Sequence, residues 1–144
     1  MPPKHPSQPL RVALIGYGAA GSVFHAPLIT ATPAMEIAAI VTRSPTRQQQ
    51  AQQDFPTAEI FSAADQLWPQ AARFDLVVVA APNRLHAPLG SAALNAGLPV
   101  VIDKPMAATV ADAELLIATS KKTDKLLSVF QNRRWDNDIL TVKQ

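Results

Sequence analysis

The segment Ile15-Gly16-Tyr17-Gly18-Ala19-Ala20-Gly21 decides the fold, because it carries the pattern G-x-G-x-x-G between two regular elements. The apolar run before it, residues 10–15, predicts a buried parallel strand, and residues 19–30 predict a helix. A strand, a glycine-rich turn and a helix in this order are typical of dinucleotide-binding domains. The bare pattern also fits a tight strand-to-helix turn that holds no ligand, but the flanking elements favour a dinucleotide site.

Each glycine of this segment has a separate expected role. Gly16 lets the chain turn tightly, Gly18 lets the backbone approach a pyrophosphate, and Gly21 lets the helix pack closely on the strand. The phosphates would then accept hydrogen bonds from free N–H groups at the helix N-terminus. The predicted cofactor contacts in this segment are Gly16, Gly18, Ala19, Ala20 and Gly21.

The composition of the 144-residue chain, with 48% hydrophobic and 17% charged residues, indicates one soluble α/β domain. The formal net charge of +2 is too small to indicate a nucleic acid or an anionic membrane as a partner. No apolar run approaches the roughly 20 residues that span a bilayer. The absence of cysteine excludes disulfides, cysteine metal sites and thiol catalysis. We therefore expect a cytoplasmic protein, and we predict no metal site.

Strand and helix patterns alternate from residue 10 to residue 134, after an expected disordered tail at residues 1–9. Six strands are predicted, at residues 10–15, 35–41, 59–61, 74–80, 99–102 and 126–130, and helices at 19–30, 46–54, 63–70, 85–96 and 109–122. This alternation predicts a doubly wound parallel sheet of the Rossmann type with strand order 3-2-1-4-5-6. The ligand crevice then lies at the carboxyl ends of strands one and four. The segments on that rim are 16–21, 42–44, 81–83 and 103–105.

The end of the second strand favours NADP over NAD. An NAD site usually places an acidic residue about 20 positions beyond the glycines, where it binds the ribose 2′-hydroxyl. Here no Asp or Glu occurs between Glu36 and Asp54, and Thr42 takes the place of the acid. Arg43 can stack on adenine or bind a 2′-phosphate. The predicted contacts are Thr42, Arg43, Ser44 and Arg47. NAD is the alternative, with the arginines then being solvated surface charges; FAD and SAM are less well supported.

A second candidate feature, Asp103-Lys104-Pro105, directly follows the fifth predicted strand. Lys104 should project into the crevice, where it could take or give a hydroxyl proton while a hydride moves to the cofactor. Asp103 could orient that lysine. A lysine at a strand end is often structural or solvent-facing, so the motif alone does not assign catalysis.

Several motifs together resemble those of the Gfo/Idh/MocA oxidoreductases. They are the glycine segment with Phe24-His25-Ala26-Pro27-Leu28, then Ala81-Pro82-Asn83-Arg84-Leu85-His86, then Asp103-Lys104-Pro105. The resemblance covers nearly all of the chain from residue 10 onward, with the motifs in family order and spacing. It implies the NAD(P)-binding domain of an oxidoreductase acting on CH–OH groups. Such an enzyme would transfer a hydride between NADP and a sugar, polyol or related hydroxy compound.

The resemblance also implies roles for single residues. Lys104 matches the lysine of the family's Glu-Lys-Pro motif, which contacts substrate and nicotinamide and assists proton transfer; Asp103 replaces the glutamate. Phe24 and His25 match a helix pattern and are interpreted as packing or rim residues. His86 could also be an ordinary early-helix residue, and Asn132 could belong to a structural hinge. The implied cofactor contacts are Ala81, Pro82, Asn83, His86, Lys104 and Asn132.

The family has a second, largely β domain that carries much of the substrate pocket. Residues 135–144 predict the start of a helix with no C-terminal signal, so we expect a truncated helix leading to a missing C-terminal substrate domain. The full-length protein is then expected to be a homo-oligomer through that domain. The present chain is expected to bind dinucleotide weakly, with little or no turnover. The alternative is a non-catalytic nucleotide-binding regulatory module, and a methyltransferase is a weaker third reading.

Overall fold

The computed structural model describes residues 8–135 and residue 141. The expected tail at 1–9 and the expected terminal helix at 135–144 fall mostly outside these residues. Within them, six parallel strands form one sheet in the order β3-β2-β1-β4-β5-β6. The strands are β1 Leu10–Ile15, β2 Met35–Val41, β3 Glu59–Phe61, β4 Leu76–Val79, β5 Val100–Asp103 and β6 Leu127–Phe130. The predicted doubly wound α/β sheet and its strand order are confirmed.

Between residues 8 and 135, four α-helices connect the strands, together with shorter helical turns. The α-helices are α1 Ala26–Ala31, α2 Pro45–Asp54, α3 His86–Asn95 and α4 Val110–Thr123. A π-helical segment, Ala20–His25, leads into α1, so the predicted first helix starts with widened turns. The predicted helix at 63–70 is instead two 3₁₀ segments, Ala64–Gln66 and Trp68–Arg73. Pro69 lacks the N–H that an α-helix would need at that position.

The apolar core lies on both faces of the sheet. Val77 and Val79 of β4 pack in one cluster with Leu94 of α3 and Leu116 of α4. Val78, between them, packs in the other cluster with residues of α1 and α2. Successive side chains of a strand point to opposite faces, so a strand covered on both sides must be apolar throughout. This burial explains why the central strands read as continuous apolar runs.

Parallel pairing brings the carboxyl ends of all six strands to one edge of the sheet, as the sequence predicts. Helix α2 begins at this edge, where the Ser44 side chain caps it by accepting a hydrogen bond from the Arg47 N–H. Helix α4 begins with Thr109 as its cap, bonded to Asp112. No helix within residues 8–135 has both the length and the apolarity needed to cross a bilayer.

Candidate functional site

The turn at residues 16–21, called here the glycine turn, is held by close backbone contacts. Gly16 has φ of +103°, and a Cβ there would overlap the carbonyl group of Ala80, with 2.7 Å to its carbon. A Cβ on Gly21 would stand 2.9 Å from the Gly16 carbonyl carbon. The Gly16 N–H donates to the Val41 carbonyl at 2.9 Å, and the Ala80 N–H to Ile15 at 2.8 Å. The glycines therefore let β1, β4 and the first helix meet without intervening side chains.

The helix that follows the glycine turn suits an anion at its N-terminus. Ala19 is the N-cap residue, and its methyl side chain makes no capping hydrogen bond to the first backbone N–H groups. Arg47 lies across the turn, with a guanidinium nitrogen 3.4 Å from the position of a Gly18 Cβ. Backbone N–H groups, the helix dipole and a guanidinium thus favour negative charge at one place.

A cavity of about 580 Å³ opens beside the glycine turn and runs along the carboxyl edge of the sheet. Ten of the predicted cofactor contacts line it, and they come from three parts of the chain: the glycine turn, the end of β2 with the start of α2, and the turn after β4. They are Gly16, Gly18, Ala19, Ala20, Thr42, Arg43, Ser44, Arg47, Ala81 and Pro82. The remaining predicted contacts, which are not in that lining, are Gly21, Asn83, His86, Lys104 and Asn132. That any of these residues contacts a cofactor stays a prediction.

The end of β2 presents arginines to this cavity rather than a carboxylate. Thr42 is buried, and its carbonyl accepts a hydrogen bond of 2.7 Å from the Gln48 side chain. Arg43 and Arg47 are exposed at the rim. Glu36, near the opposite end of β2, pairs with Arg11 at 2.8 Å and so lies away from the site.

The segment Ser62–Asp65 also lines the cavity, and the sequence reasoning missed it. It directly follows β3, whose register pairs Phe61 with Val41 of β2. The signal was present in the predicted strand order, because a strand next to β2 must end on the same rim. Asp65 brings a carboxylate to the cavity from this segment.

Tyr17 ties the glycine turn to the far end of α2. Its side chain is buried, and its hydroxyl donates to Asp54 at 2.6 Å. Burial raises the pKa of Tyr17 far above its usual value, and the hydrogen bond to Asp54 and the carboxylate's charge raise it further. The Tyr17 ring also meets Phe55 edge-on, with 6.4 Å between ring centres.

The turn at residues 103–105, called here the lysine turn, begins at the last residue of β5 and lies outside the lining of the cavity. Lys104 is exposed, and its backbone N–H donates to the Asp103 carboxylate at 2.8 Å. The second Asp103 oxygen lies 3.9 Å from Nε2 of His25. Asp103 therefore holds the backbone of the turn, whereas its predicted effect on the lysine side chain stays a prediction.

His25 is a packing residue, as expected, with an unexpected polar contact. It is 4% exposed, and its ring lies 4.6 Å from that of Phe130. Its Nε2 has no hydrogen-bond partner among the described residues. Burial lowers the pKa of His25, and the nearby Asp103 carboxylate offsets part of this effect. A neutral imidazole beside Asp103 is thus favoured in the folded chain.

His86 lies beneath the site rather than on its surface. Its side chain is 1% exposed, with Nδ1 at 2.7 Å from the Pro105 carbonyl oxygen and Nε2 at 2.7 Å from that of Ala81. The ring therefore lies between the lysine turn and the turn at residues 81–83, called here the post-β4 turn. The resemblance implies that His86 contacts the cofactor, with an ordinary early-helix residue as the alternative, and that contact stays a prediction.

Comparison with known proteins identifies relatives along nearly the whole chain. Residues 10–131 match the family model for an oxidoreductase family with an NAD-binding Rossmann fold. The chain is 45% identical to the oxidoreductase YdgJ of Escherichia coli (strain K12), covering 95% of this chain and 38% of that protein. It is 39% identical to scyllo-inositol 2-dehydrogenase (NADP(+)) IolW of Bacillus subtilis (strain 168), covering 94% and 37%.

Solved structures show the same likeness. An oxidoreductase of Klebsiella pneumoniae matches with a TM-score of 0.86 at 41% identity, covering 96% of this chain and 39% of that one. The WlbA dehydrogenase of Bordetella pertussis, solved with NADH and UDP-GlcNAcA, matches with a TM-score of 0.86 at 26% identity, covering 94% and 41%. The chain thus spans about two fifths of the length of these relatives and corresponds to their NAD-binding domain.

Proposed function

The chain belongs to the Gfo/Idh/MocA oxidoreductase family, and we propose that it is the cofactor-binding part of an NADP-dependent enzyme. Its substrate would be a sugar, polyol or related hydroxy compound. The relative named as an NADP(+)-dependent scyllo-inositol 2-dehydrogenase supports both the cofactor and the substrate class. The WlbA structure, which contains NADH, keeps NAD as the alternative.

The observation that carries the NADP preference is the charge at the end of β2. Thr42 occupies the place of the usual acid, so no carboxylate there would repel a 2′-phosphate. Arg43 and Arg47 line the same cavity as Thr42. A guanidinium can bind a phosphate with two parallel hydrogen bonds. The alternative, in which the two arginines are only solvated surface charges, includes no such contact.

The lysine turn supplies the proposed proton-transfer group. A bound nicotinamide would supply the hydride donor or acceptor. Lys104, exposed at the end of β5, would hold or move the proton of the substrate hydroxyl. Asp103 would support it by accepting the hydrogen bond from its backbone N–H.

The chain spans 38% of the length of YdgJ. We propose that a further domain completes the substrate pocket and joins copies into a homo-oligomer in the cytoplasm. On this proposal residues 10–134 form the dinucleotide-binding domain, and the chain alone binds dinucleotide with little or no turnover.

Calorimetric titration of this chain with NADPH and with NADH tests the proposal. NADPH should bind more tightly, and Arg47→Ala should weaken NADPH binding about 10- to 100-fold, as expected for a charge-assisted hydrogen bond. Arg47→Lys should recover only part of the loss, because an ammonium cannot form the bidentate contact. Lys122→Ala, on the last turn of α4, is the charge-matched control and should change neither affinity.

Equal affinity for NADPH and NADH would contradict the NADP assignment. An Arg47→Ala variant that loses both ligands equally would assign that arginine to the shared phosphates instead. Robust turnover of scyllo-inositol by this chain with NADP would contradict the proposed need for a further domain.

A further inference from the structure

We propose that His86 is a positioning residue that holds the post-β4 turn and the lysine turn in one fixed relation. The inference rests on the proposed function, in which the post-β4 turn borders the cofactor and Lys104 moves a proton. His86 is not a catalytic residue in this proposal, because its ring is buried and both ring nitrogens lie 2.7 Å from backbone carbonyl oxygens, those of Pro105 and Ala81. It would act through the backbone of the two turns.

The pairing of β4 and β5 shows why a side chain is needed here. Their register ends with Val79 opposite Ile102, so Ala81 and Pro105 both lie beyond the paired residues. Proline has no backbone N–H, so Pro105 cannot donate a ladder hydrogen bond at that point. Because carbonyl oxygens only accept hydrogen bonds, a link between the Ala81 and Pro105 carbonyls needs a donor from outside the β4–β5 ladder.

The histidine ring meets this requirement by its position and its chemistry. His86 is the first residue of α3, and a 3₁₀ turn, Asn83–Leu85, connects it directly to the post-β4 turn. Both oxygens near the ring are carbonyls, which only accept hydrogen bonds, so the ring must donate. A neutral imidazole donates from one nitrogen at a time, and an imidazolium donates from both.

The two turns that His86 contacts carry different parts of the proposed site, so their relative placement affects the proposed reaction. Ala81 and Pro82 line the cavity, and Lys104 immediately precedes Pro105. A small change in the distance between these turns would move the lysine relative to a bound cofactor. Misplacement of about 1 Å in a site can reduce a rate about 100-fold. This brace, meaning the contacts of His86 with the two turns, would therefore contribute to function without touching any ligand.

Backbone amide NMR of the chain without cofactor tests the two contacts of the His86 ring separately. The Asn side-chain nitrogen stands near the place of His Nδ1, and that of Gln near the place of Nε2. His86→Asn should therefore leave the amide signals of Lys104 and Met106 in place and shift those of Ala81 and Asn83. His86→Gln should give the opposite pattern, and His86→Phe should shift both sets.

A role in filling space alone predicts a different result. His86→Phe would then leave both turns unchanged, and the Asn and Gln variants would not differ in pattern, either of which overturns the proposal. A shift of the same single turn in all three variants would equally contradict it. Thr119→Val is the control for general destabilisation, because it removes a buried hydrogen bond to Leu115 within α4 and should move neither turn.

The native chain offers a measurement that does not depend on folding of the variants. A ring N–H of His86 should give a proton signal that is protected from exchange with water. Exchange as fast as that of free imidazole would contradict the brace. NADPH titration separates this proposal from the proposed function: failure of the native chain to bind NADPH would overturn the function, whereas the NMR patterns would still decide the brace.

Discussion

The glycine turn and the lysine turn lie on the same edge of the sheet, but they are held in different ways. The glycine turn depends on backbone: a positive φ at Gly16 and contacts too close for any Cβ. The lysine turn depends on side chains from elsewhere in the chain, with His86 at the Pro105 carbonyl and His25 beside Asp103. A turn that depends on its backbone shows a motif of consecutive residues in the sequence. A turn held by distant side chains shows no such motif.

The largest effect is expected when the backbone contact of the glycine turn is broken. Gly16→Ala should lower the free energy of unfolding by about 3–5 kcal/mol, because strain at positive φ and overlap with the Ala80 carbonyl act together. Gly97→Ala is the matched control, since Gly97 also has positive φ (+84°) but its Cβ would meet nothing within 4 Å. That variant should lose only about 1–2 kcal/mol. Urea denaturation followed by circular dichroism measures both, and equal losses would contradict the importance of the overlap.

A smaller effect is expected at the hydrogen bond that joins the glycine turn to α2. Tyr17→Phe should lower the free energy of unfolding by about 1–2 kcal/mol through loss of the hydrogen bond to Asp54. Tyr17 is the only tyrosine in the chain, so tyrosinate absorbance reports it alone. Its pKa is raised by folding, so the stabilisation is complete below the unfolded value near 10 and is lost as the pH rises above it.

Asp54→Asn provides the control for this titration. It keeps the tyrosine buried and removes the carboxylate, so the folded-state pKa of Tyr17 should fall toward the usual value without reaching it. If the folded native chain ionises at the same pH as the unfolded chain, the buried hydrogen bond does not exist in solution.

The smallest effect on stability is expected beside the lysine turn, at His25, whose Nε2 lies 3.9 Å from Asp103. Burial lowers the pKa of His25, so the unfolded chain takes up a proton before the folded chain does as the pH falls below about 6.5. Stability present above that pH is therefore lost as the pH falls toward the folded-state pKa. His25→Phe keeps a ring against Phe130 and removes the titration, so its thermal midpoint should depend less on pH between neutral and mildly acidic buffer. Parallel curves for the two proteins would contradict a neutral buried His25.

The strands and the glycine turn could be predicted because their causes lie within short stretches of sequence, and the strand order followed from the alternation of strands and helices along the chain. Continuous apolar runs such as Val77–Val79 indicate strands covered on both faces, and G-x-G-x-x-G indicates the turn after β1. The Ser44-Pro45 pair likewise marks the start of α2. Each of these patterns acts over a few consecutive residues, and the structure has the element that it predicts.

The parts that could not be predicted depend on contacts between distant segments. Nothing in the neighbourhood of His86 in sequence indicates that its ring meets Pro105, and nothing near His25 points to Asp103. The lining at Ser62–Asp65 was overlooked because no motif marks it, although the strand order implied it. The residue type alone does not show whether a histidine lies buried between two turns or contacts a ligand in the cavity.

The sequence by itself therefore determined the sheet, the order of its strands and the edge at which a dinucleotide would bind, because hydrophobic periodicity and glycine stereochemistry act over a few residues. Only the tertiary structure decided which side chains face the cavity and which lie beneath it. That choice depends on how the carboxyl end of each strand lies against the first turn of the helix that follows it, as with β2 and α2 or β4 and α3. Arg47 therefore stands over the glycine turn, whereas His86, from the same rim, lies buried between two carbonyls.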